Sequence, residues 1–279
     1  MSLFVCSLNS GSNGNCYYIG NDNEAILIDG GISCRETEKR LKRLGLSIKK
    51  VKSIFVSHEH GDHIHGVPAL SKKHSIPVYI THNTLHQSGI ELQPELVRVF
   101  RAYENITVGQ LQVVAFPKFH DASDPHSFIV KDSVIQVGVF TDIGSACKNV
   151  VQHFKQCHAA FLESNYDEEM LENGSYPWHL KNRIRNGYGH LSNKQAAELF
   201  RKHRPPFMTH LFLSHLSRNN NSPQIVRELF SKIAGKTEVI IAPRDRETSL
   251  YHIRNTMGRI VRFGKGAGQV SPFQLSLFQ

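Results

Sequence analysis

The segment that decides the fold is Ser57-His58-Glu59-His60-Gly61-Asp62-His63, which places three imidazoles and the Asp62 carboxylate within six residues. It follows directly on a short apolar run that is typical of a buried β-strand. In an extended segment, side chains two residues apart point the same way, so His58 and His60 can share one metal ion. Asp62 and His63 follow one turn further along, where we expect them to serve a second ion.

Three further candidate ligands each follow a predicted strand: His120, Asp142 and His215. An aspartate at such a strand end can bridge two ions, and nitrogen and oxygen ligands of this kind suit zinc or manganese. Taken singly, each of the three could equally be a capping or surface residue. Together with the histidine-rich segment they predict a two-metal site, for which a chance run of histidines in a polar loop is the weaker explanation.

The predicted elements change in character along the chain. Strands are predicted over 3–8, 16–19, 25–28, 51–56, 78–81, 97–100, 106–108, 111–116, 127–130, 134–141, 159–162, 206–214 and 238–242. Helices are predicted over 35–50, 145–155, 165–173, 178–186, 192–203 and 222–234. Many strands followed by alternating strands and helices predict a two-sheet sandwich with helices packed outside it. We therefore expect one catalytic domain over residues 1–263 and a flexible tail over residues 264–279.

The composition restricts the classes of protein that remain. Of 279 residues, 40% are hydrophobic, which is enough to build a core, and no apolar run is long enough to span a membrane. Five cysteines without a C-x-x-C spacing argue against a disulfide framework or a thiolate zinc site, and no secretory signal is visible. We therefore expect a soluble, cytoplasmic protein. The net charge of +9 suits a polyanionic partner, although it also suits solubility alone.

The H-x-H-x-D-H segment, with its downstream histidines and aspartate, is similar to the signature of the metallo-β-lactamase fold. The resemblance implies an α/β fold, an αββα sandwich of two mixed β-sheets flanked by helices, and a dinuclear site between the sheets. It implies two divalent metal ions, Zn²⁺ or Mn²⁺, as cofactors. The ligands it implies are His58, His60 and His120 for the first ion, Asp62, His63 and His215 for the second, and Asp142 as a bridge. Asp29 matches the first motif of the family, where the resemblance implies a loop-organising residue rather than a ligand.

Further segments, taken in order, resemble the YycJ-like (WalJ/VicX) branch of this fold. They are 7–15, 161–167, 176–184, 189–193 and 214–220. The branch is associated with a 5′-to-3′ DNA exonuclease activity. The resemblance therefore implies a metal-dependent phosphodiesterase that acts on DNA in repair or replication, with a metal-bridging hydroxide as the nucleophile.

Glu163 and His190 have the layout of the glutamate–histidine pair in ribonuclease Z-type nucleases of this fold. A histidine oriented by an acid can protonate a leaving group, and the alkoxide that leaves a phosphodiester is basic enough to need such a donor or a metal ion. The implied catalytic residues are His190, Glu163 and Asp62, the last of which is also a ligand. The alternative is that Glu163 forms a strand-end salt bridge and that His190 is an ordinary loop residue.

The candidates for substrate binding are of two kinds. Some are small polar residues in the loop 10–15, between the first two predicted strands, and the others are polar or basic residues near the ligands. They are Ser10, Ser12, Asn15, Lys181, Arg183, Arg218 and Asn220. The first loop offers backbone donors that could hold a terminal phosphate, but it could equally be an ordinary hairpin turn. The basic residues could follow the phosphate backbone of a nucleic acid.

The C-terminal tail begins with a glycine-rich stretch, 264–272, that is typical of a flexible linker. The last residues resemble the Q-L-x-L-F pentapeptide by which bacterial replication and repair proteins dock on the DNA polymerase sliding clamp. The resemblance implies that the clamp is a partner and that it is bound by Gln274, Leu275, Leu277 and Phe278. The alternative is an edge strand that folds back on the domain and buries the same apolar side chains.

Three other functions remain open from the sequence. A small-ester hydrolase of the glyoxalase II or lactonase type would use the same scaffold and would not need the basic residues near His190. A ribonuclease would use the same chemistry, because a contact to the 2′-hydroxyl cannot be identified in one sequence. A metal-bound accessory protein on the clamp would have no use for a Glu163 and His190 pair.

Overall fold

Two seven-stranded β-sheets make up the centre of the computed structural model, which describes residues 2–255. The strands among these residues are β1 (Ser2–Asn9), β2 (Cys16–Gly20), β3 (Ala25–Ile28), β4 (Val51–Phe55), β5 (Val78–Ile80), β6 (Val97–Val99), β7 (Asn105–Val108), β8 (Leu111–Pro117), β9 (His126–Lys131), β10 (Gln136–Phe140), β11 (Ala159–Glu163), β12 (His210–Ser214), β13 (Glu238–Ile241) and β14 (Tyr251–Arg254). Their order is β14-β1-β2-β3-β4-β5-β6 in one sheet and β13-β12-β11-β10-β9-β8-β7 in the other.

Helices pack on both sheets. Within residues 2–255 they are α1 (Cys34–Arg43), α2 (Gly61–Ile64), α3 (Val67–His74), α4 (His82–Ser88), α5 (Lys148–Phe154), α6 (Glu168–Asn173), α7 (Trp178–Arg185), α8 (Asn193–His203) and α9 (Pro223–Ser231). Apolar side chains of α1 and α3 pack on the first sheet, and those of α5, α8 and α9 pack on the second. No helix in the described part of the chain is both long and apolar enough to cross a membrane.

The main core lies between the two sheets and is rich in aromatic rings. The ring of Phe55 in β4 lies 5.8 Å from that of Phe128 in β9, and Phe161 stacks on Phe212 at 4.6 Å. Because helices cover the opposite faces, strands such as β3 and β11 are buried on both sides and appear in the sequence as continuous apolar runs. The predicted α/β class and αββα sandwich are confirmed.

Parallel pairing determines where the polar residues meet. Strand β3 pairs in parallel with β4, and β10, β11 and β12 pair in parallel with one another. The carboxyl ends of parallel neighbours lie at one edge of a sheet, which is where sites form in α/β folds. The residues at or just after these ends are Asp29, His58, Asp142, Glu163 and His215.

The helix predicted over residues 35–50 is wrong in length. Helix α1 ends at Arg43, where the N–H of Leu44 donates to the carbonyl of Arg40 (3.2 Å). Gly45 then takes a φ of +70°, a left-handed backbone that favours glycine and turns the chain out of the helix. Residues 48–50 form only a short 3-10 turn before β4.

Four elements were not predicted at all: α2, α3, α4 and β14. Strand β14 pairs with β1, with Ser2 opposite Arg254, so it joins parts of the chain that no local pattern connects. The predicted domain boundary after residue 263, and the tail with its Gln274, Leu275, Leu277 and Phe278, lie outside the described residues.

Candidate metal centre and active site

All seven predicted metal ligands lie together where the parallel strands end. Four overlapping groups of side chains there could hold an ion, and the ligand atoms of each group lie within 4.8 Å of one another. The groups are His58, His60 and His120; His58, His63 and Asp142; Asp62, His63 and His215; and Asp142, Glu163, His190 and His215. Because they share members, the groups form one continuous centre.

The first triad consists of His58, His60 and His120. Nε2 of His58 lies 3.0 Å from Nδ1 of His60, and Nε2 of His120 lies 3.3 Å from that same nitrogen. Three imidazole nitrogens that converge in this way suit a metal ion, which accepts a lone pair from each. Burial lowers the pKa of His58 well below its usual value and that of His120 to about 3, so both favour the neutral form that binds metals.

The second triad consists of Asp62, His63 and His215. Oδ2 of Asp62 lies 3.5 Å from Nε2 of His63 and 3.5 Å from Nε2 of His215. Asp142 lies between the two triads, because one of its oxygens is 3.0 Å from Nε2 of His63 and the other is 3.9 Å from Nε2 of His120. This position is the one that a bridging carboxylate would occupy.

The carboxylates give the second triad an excess of negative charge. Burial alone would lower the pKa of both histidines. Asp142 and its neighbouring carboxylates instead raise the pKa of His63 well above its usual range and that of His215 to about 10. A divalent cation would balance the same charge without those protons.

Two buried atoms of the centre make no hydrogen bond with the described residues. They are Oδ2 of Asp142, which approaches His63 without the geometry of a hydrogen bond, and Nε2 of His215. An unpaired buried polar atom costs about 1–3 kcal/mol. Metal ions would give both atoms a partner, so the donor set and its open atoms fit divalent metal ions.

Asp29 holds a ligand in place without facing the cleft. Its Oδ1 accepts the backbone N–H of Ser57 (2.8 Å), and its Oδ2 accepts the Ser57 hydroxyl (2.8 Å). Nδ1 of His63 lies 2.7 Å from Oδ2 and donates to it, which leaves Nε2 of His63 for a metal ion. Asp29 therefore lies where the predicted loop-organising residue was expected.

The backbone is strained at three residues of the centre. Asp29, Asp142 and His215 have positive φ angles of 62°, 51° and 56°. A non-glycine residue adopts this left-handed conformation at a cost of about 1–3 kcal/mol, and such costs are concentrated at functional sites. Here the sharp turn directly after each strand directs the side chain into the centre.

Glu163 and His190 form a hydrogen-bonded pair beside the ligands. Nδ1 of His190 donates to Oε1 of Glu163 (2.7 Å), and the N–H groups of Ile143 and Leu191 donate to Oε2 (2.7 and 3.2 Å). Burial alone would raise the pKa of the Glu163 carboxyl, but His190 and the hydrogen bonds from His190 and His215 lower it to about 2. Glu163 is therefore ionised, and it fixes the ring that faces the cleft.

An open cleft of about 430 Å³ lies over the centre. This volume falls within the range of sites for small molecules and cofactors, so the cleft can take a nucleotide unit. Its wall includes ligands, His190 and polar residues from four loops and helix α7: Ser12, His60, Asp62, His120, Asp121, Asp142, Tyr176, Arg183, His190, His215 and Ser217.

Of the residues predicted to bind substrate, Ser12 and Arg183 line this cleft. Arg183 forms an ion pair with Asp121 at the rim. Lys181 donates to the carbonyl of Glu172 and does not line the cleft. Arg218 is exposed next to the cleft residue Ser217.

The other three predicted substrate residues are buried. The Ser10 hydroxyl accepts the backbone N–H of His215 (2.7 Å), and the Asn15 amide donates to Oδ2 of Asp62 (3.1 Å). Asn220 is 1% exposed. Burial keeps all three side chains from direct contact with a substrate, and those of Ser10 and Asn15 support the centre from behind.

Two supporting residues were missed from the sequence. The Ser57 hydroxyl lies 2.8 Å from Nδ1 of His58 as well as binding Asp29, and its place directly before the motif was a signal for it. Lys118 is buried, and its Nζ donates to the carbonyl of Thr141 (2.7 Å), next to Asp142. Burial lowers the pKa of Lys118, and little in the sequence pointed to it, since lysines are rarely buried.

The fold and this centre together define a protein of the metallo-β-lactamase class. Residues 10–123 match the family model described as the metallo-beta-lactamase superfamily. The solved structure of the metallo-beta-lactamase fold protein YhfI from Bacillus subtilis superposes with a TM-score of 0.71 at 15% identity, covering 90% of this chain and 100% of that one. At that identity the likeness concerns the fold. The class implies divalent metal ions, and the described residues provide candidate ligands for them.

Two curated relatives are similar over most of their length. Exodeoxyribonuclease YycJ of Bacillus anthracis is 34% identical over 236 residues, which are 84% of this chain and 89% of the relative. Exodeoxyribonuclease WalJ of Streptococcus pneumoniae is 30% identical over 226 residues, which are 78% of this chain and 83% of the relative. The chain belongs to the metallo-β-lactamase superfamily and, within it, to the family of YycJ and WalJ.

Proposed function

We propose that the protein is a metal-dependent DNA exonuclease that removes nucleotides from 5′ ends in repair or replication. The observation that carries this proposal is the Glu163 and His190 pair, joined at 2.7 Å beside the ligand groups on the wall of the cleft. The similarity of most of the chain to two exodeoxyribonucleases supports DNA as the substrate.

Two divalent ions, Zn²⁺ or Mn²⁺, would be held by the two triads, with Asp142 between them. When bound, they would lower the pKa of a water molecule and neutralise the charge of a phosphodiester. Asp62 would fix its ion while Asn15 orients the carboxylate from behind. The residues that hold the ions are His58, His60, His120, Asp62, His63, His215 and Asp142.

His190 would act as the general acid. Because Glu163 accepts the hydrogen bond from Nδ1, the proton that His190 gives up is the one on Nε2, which has no hydrogen-bond partner among the described residues and faces the cleft. That proton goes to the departing 3′-oxygen, a basic alkoxide that leaves slowly unless it is protonated. Glu163 stays ionised and stabilises the charged imidazole before the transfer.

Basic residues in and near the cleft would hold the phosphates of the strand. Arg183 at the rim, Lys181 on the same helix and the exposed Arg218 can follow successive phosphates. A small ester would not use such contacts, so we favour a polyanionic substrate over a thioester or a lactone.

The tail is proposed to bind the DNA polymerase sliding clamp through Gln274, Leu275, Leu277 and Phe278. Deletion of residues 274–279 should abolish clamp binding in a pull-down with purified clamp and leave turnover of short oligonucleotides intact. Loss of folding on that deletion would instead support an edge strand that is part of the domain.

The test of the nuclease proposal offers purified protein labelled duplex DNA, single-stranded DNA and RNA, with zinc, manganese or magnesium in turn. Wild type should shorten DNA from the 5′ end, His60→Ala should be inactive, and His86→Ala, an exposed histidine on α4, should match wild type. The proposal fails if wild type degrades no DNA and opens a thioester or a lactone. Degradation of RNA alone would identify a ribonuclease.

A further inference from the structure

Arg244 lies in a corner of the fold where three loops meet. Its Nη1 donates to the carbonyl of Leu216 (2.6 Å), and its Nη2 donates to the hydroxyl of Ser12 (3.3 Å). The side-chain amide of Asn13 donates in turn to the Arg244 carbonyl (2.7 Å). Gly11 has a φ of +121°, a backbone conformation that favours glycine, and a Cβ there would lie 2.5 Å from Nη1, so a side chain at this position would displace the guanidinium.

The corner opens into the cleft that contains the metal ligands. Ser12, a partner of Arg244, and Ser217, which follows the partner Leu216, both line that cleft together with Asp62 and His215. The loop that carries Ser12 is also tied to the centre, because the Ser10 hydroxyl accepts the backbone N–H of His215 (2.7 Å). A group bound at Arg244 would therefore lie in a fixed position relative to the centre.

Neither Arg244 nor its neighbour Arg218 has a carboxylate within ion-pair distance among residues 2–255. Four arginines of the described chain do have one: Arg40, Arg43, Arg183 and Arg185. Eight further described arginines also lack one, but seven of these are exposed to water, whereas Arg244 is half-buried. Burial and the charge of Arg218 lower the pKa of Arg244, although Tyr176 and Asp62 oppose them. The charge of Asp62 would be taken up by its metal ion, which leaves two cations without an anion.

Arg244 also has N–H groups that make no hydrogen bond with the described residues. A guanidinium carries five N–H groups, and Leu216 and Ser12 use two of those on Arg244. A phosphate monoester carries about −1.5 to −2 charge and three acceptor oxygens. It could accept hydrogen bonds from the remaining N–H groups of Arg244, from the Arg218 guanidinium and from the Ser12 hydroxyl, and its charge would balance that of the two arginines. An internal phosphodiester has a single negative charge and would leave part of this positive charge unbalanced.

We propose that Ser12, Arg218 and Arg244 form a subsite for the terminal phosphate of a 5′-phosphorylated strand. The inference rests on the proposed function and narrows its substrate class to DNA with a 5′-phosphate. In a 5′-to-3′ exonuclease, the departing 3′-oxygen belongs to the nucleotide that carries the terminal phosphate. Holding that phosphate in the corner therefore fixes the leaving oxygen relative to His190.

The test compares two oligonucleotides of one sequence, one with a 5′-phosphate and one with a 5′-hydroxyl, each labelled at the 3′ end. Wild type should prefer the 5′-phosphate about 10- to 100-fold in kcat/KM. Arg244→Gln should reduce this ratio to near one, and Arg218→Gln should reduce it several-fold. Arg246→Gln, an exposed arginine two residues along, should keep the wild-type ratio.

A binding experiment in EDTA separates this inference from the proposed function. Without metal ions, wild type should still bind the 5′-phosphorylated strand more tightly than the 5′-hydroxyl strand, and Arg244→Gln should lose that difference. Arg218→Gln guards against a folding defect, since this exposed side chain makes no hydrogen bond with the described residues. Equal wild-type binding and cleavage of the two strands would overturn the subsite while leaving an exonuclease intact. A preference that survives in both variants would also overturn it.

Discussion

The metal centre and a second cluster, Cys34, Glu38 and His74, both bring candidate ligand atoms within 4.8 Å of one another. In the second cluster, between α1 and α3, the atoms already have partners. Nε2 of His74 lies 2.6 Å from Oε1 of Glu38, Nζ of Lys73 donates to Oε2 (3.0 Å), and Sγ of Cys34 donates to Glu38 (3.8 Å). All three residues are partly exposed to water.

The comparison of these two clusters shows that side chains able to bind a metal ion do not form a metal site merely by lying close together. Around Glu38, the Lys73 ammonium already neutralises the only carboxylate of the cluster. In the centre, Asp142 is buried with an oxygen that has no hydrogen-bond partner among residues 2–255, and three carboxylates surround His63. Unbalanced charge and open lone pairs, enclosed from water, favour a bound cation there.

The largest effect should come from Asp142→Asn. The amide removes the charge between the two triads, so metal content measured by elemental analysis should fall and turnover should drop about 10³-fold or more. Asp22→Asn, at an exposed turn, is the matched control and should change neither quantity. Full metal content together with full activity in Asp142→Asn would remove the basis for a bridging carboxylate.

His190→Ala should reduce DNA cleavage about 10²- to 10⁴-fold while metal content stays at the wild-type level. The variant lacks the Nε2 proton that His190 would donate to the leaving 3′-oxygen. An aryl phosphodiester, whose phenolate leaves without protonation, should therefore be cleaved by the variant at close to the wild-type rate. Glu163→Gln should act in the same direction with a smaller loss. A variant that loses metal would show instead that His190 is a ligand, in line with its place in one of the four groups.

Asp29→Asn should weaken metal binding about 10- to 100-fold without changing the number of ions bound at saturation. The carboxylate accepts from Ser57 and His63 and makes no contact with the cleft, so its loss disorients a ligand rather than removing one. Competition with a chromogenic chelator measures the affinity. An altered stoichiometry would mean that Asp29 binds metal directly.

The smallest effects should come from Cys34→Ser and His74→Ala, which should leave metal content unchanged and alter the free energy of unfolding by less than about 0.5 kcal/mol. The hydrogen bond from Lys73, with a smaller effect of His74, lowers the pKa of Glu38 against the opposing effect of burial. This contribution is present at neutral pH and disappears as the pH falls through the lowered pKa of Glu38. The difference in the free energy of unfolding between His74→Ala and wild type should therefore become smaller below that pKa. A metal ion bound at this cluster in wild type would contradict the comparison with the metal centre.

Local sequence signals located the elements well where a strand or helix is bounded by turn residues. They failed for the helix over 35–50, where a continuous basic pattern concealed the turn at Gly45. They also failed for β14, because β1, with which it pairs, lies at the other end of the described chain. The substrate residues Ser10 and Asn15 were chosen as members of a loop, and only packing could show that both are buried.

The sequence by itself predicted the fold and a cluster of candidate ligands, because the spacing of His58, His60, Asp62 and His63 controls side-chain direction within one segment. The class of partner, a polyanion, was only suggested by the net charge. The tertiary structure alone decided which cations lack an anion: Arg244 meets Ser12 across more than 200 positions of the chain, and no local pattern reports such a contact. Spacing acts within a segment, whereas charge balance and burial depend on which segments the fold brings together.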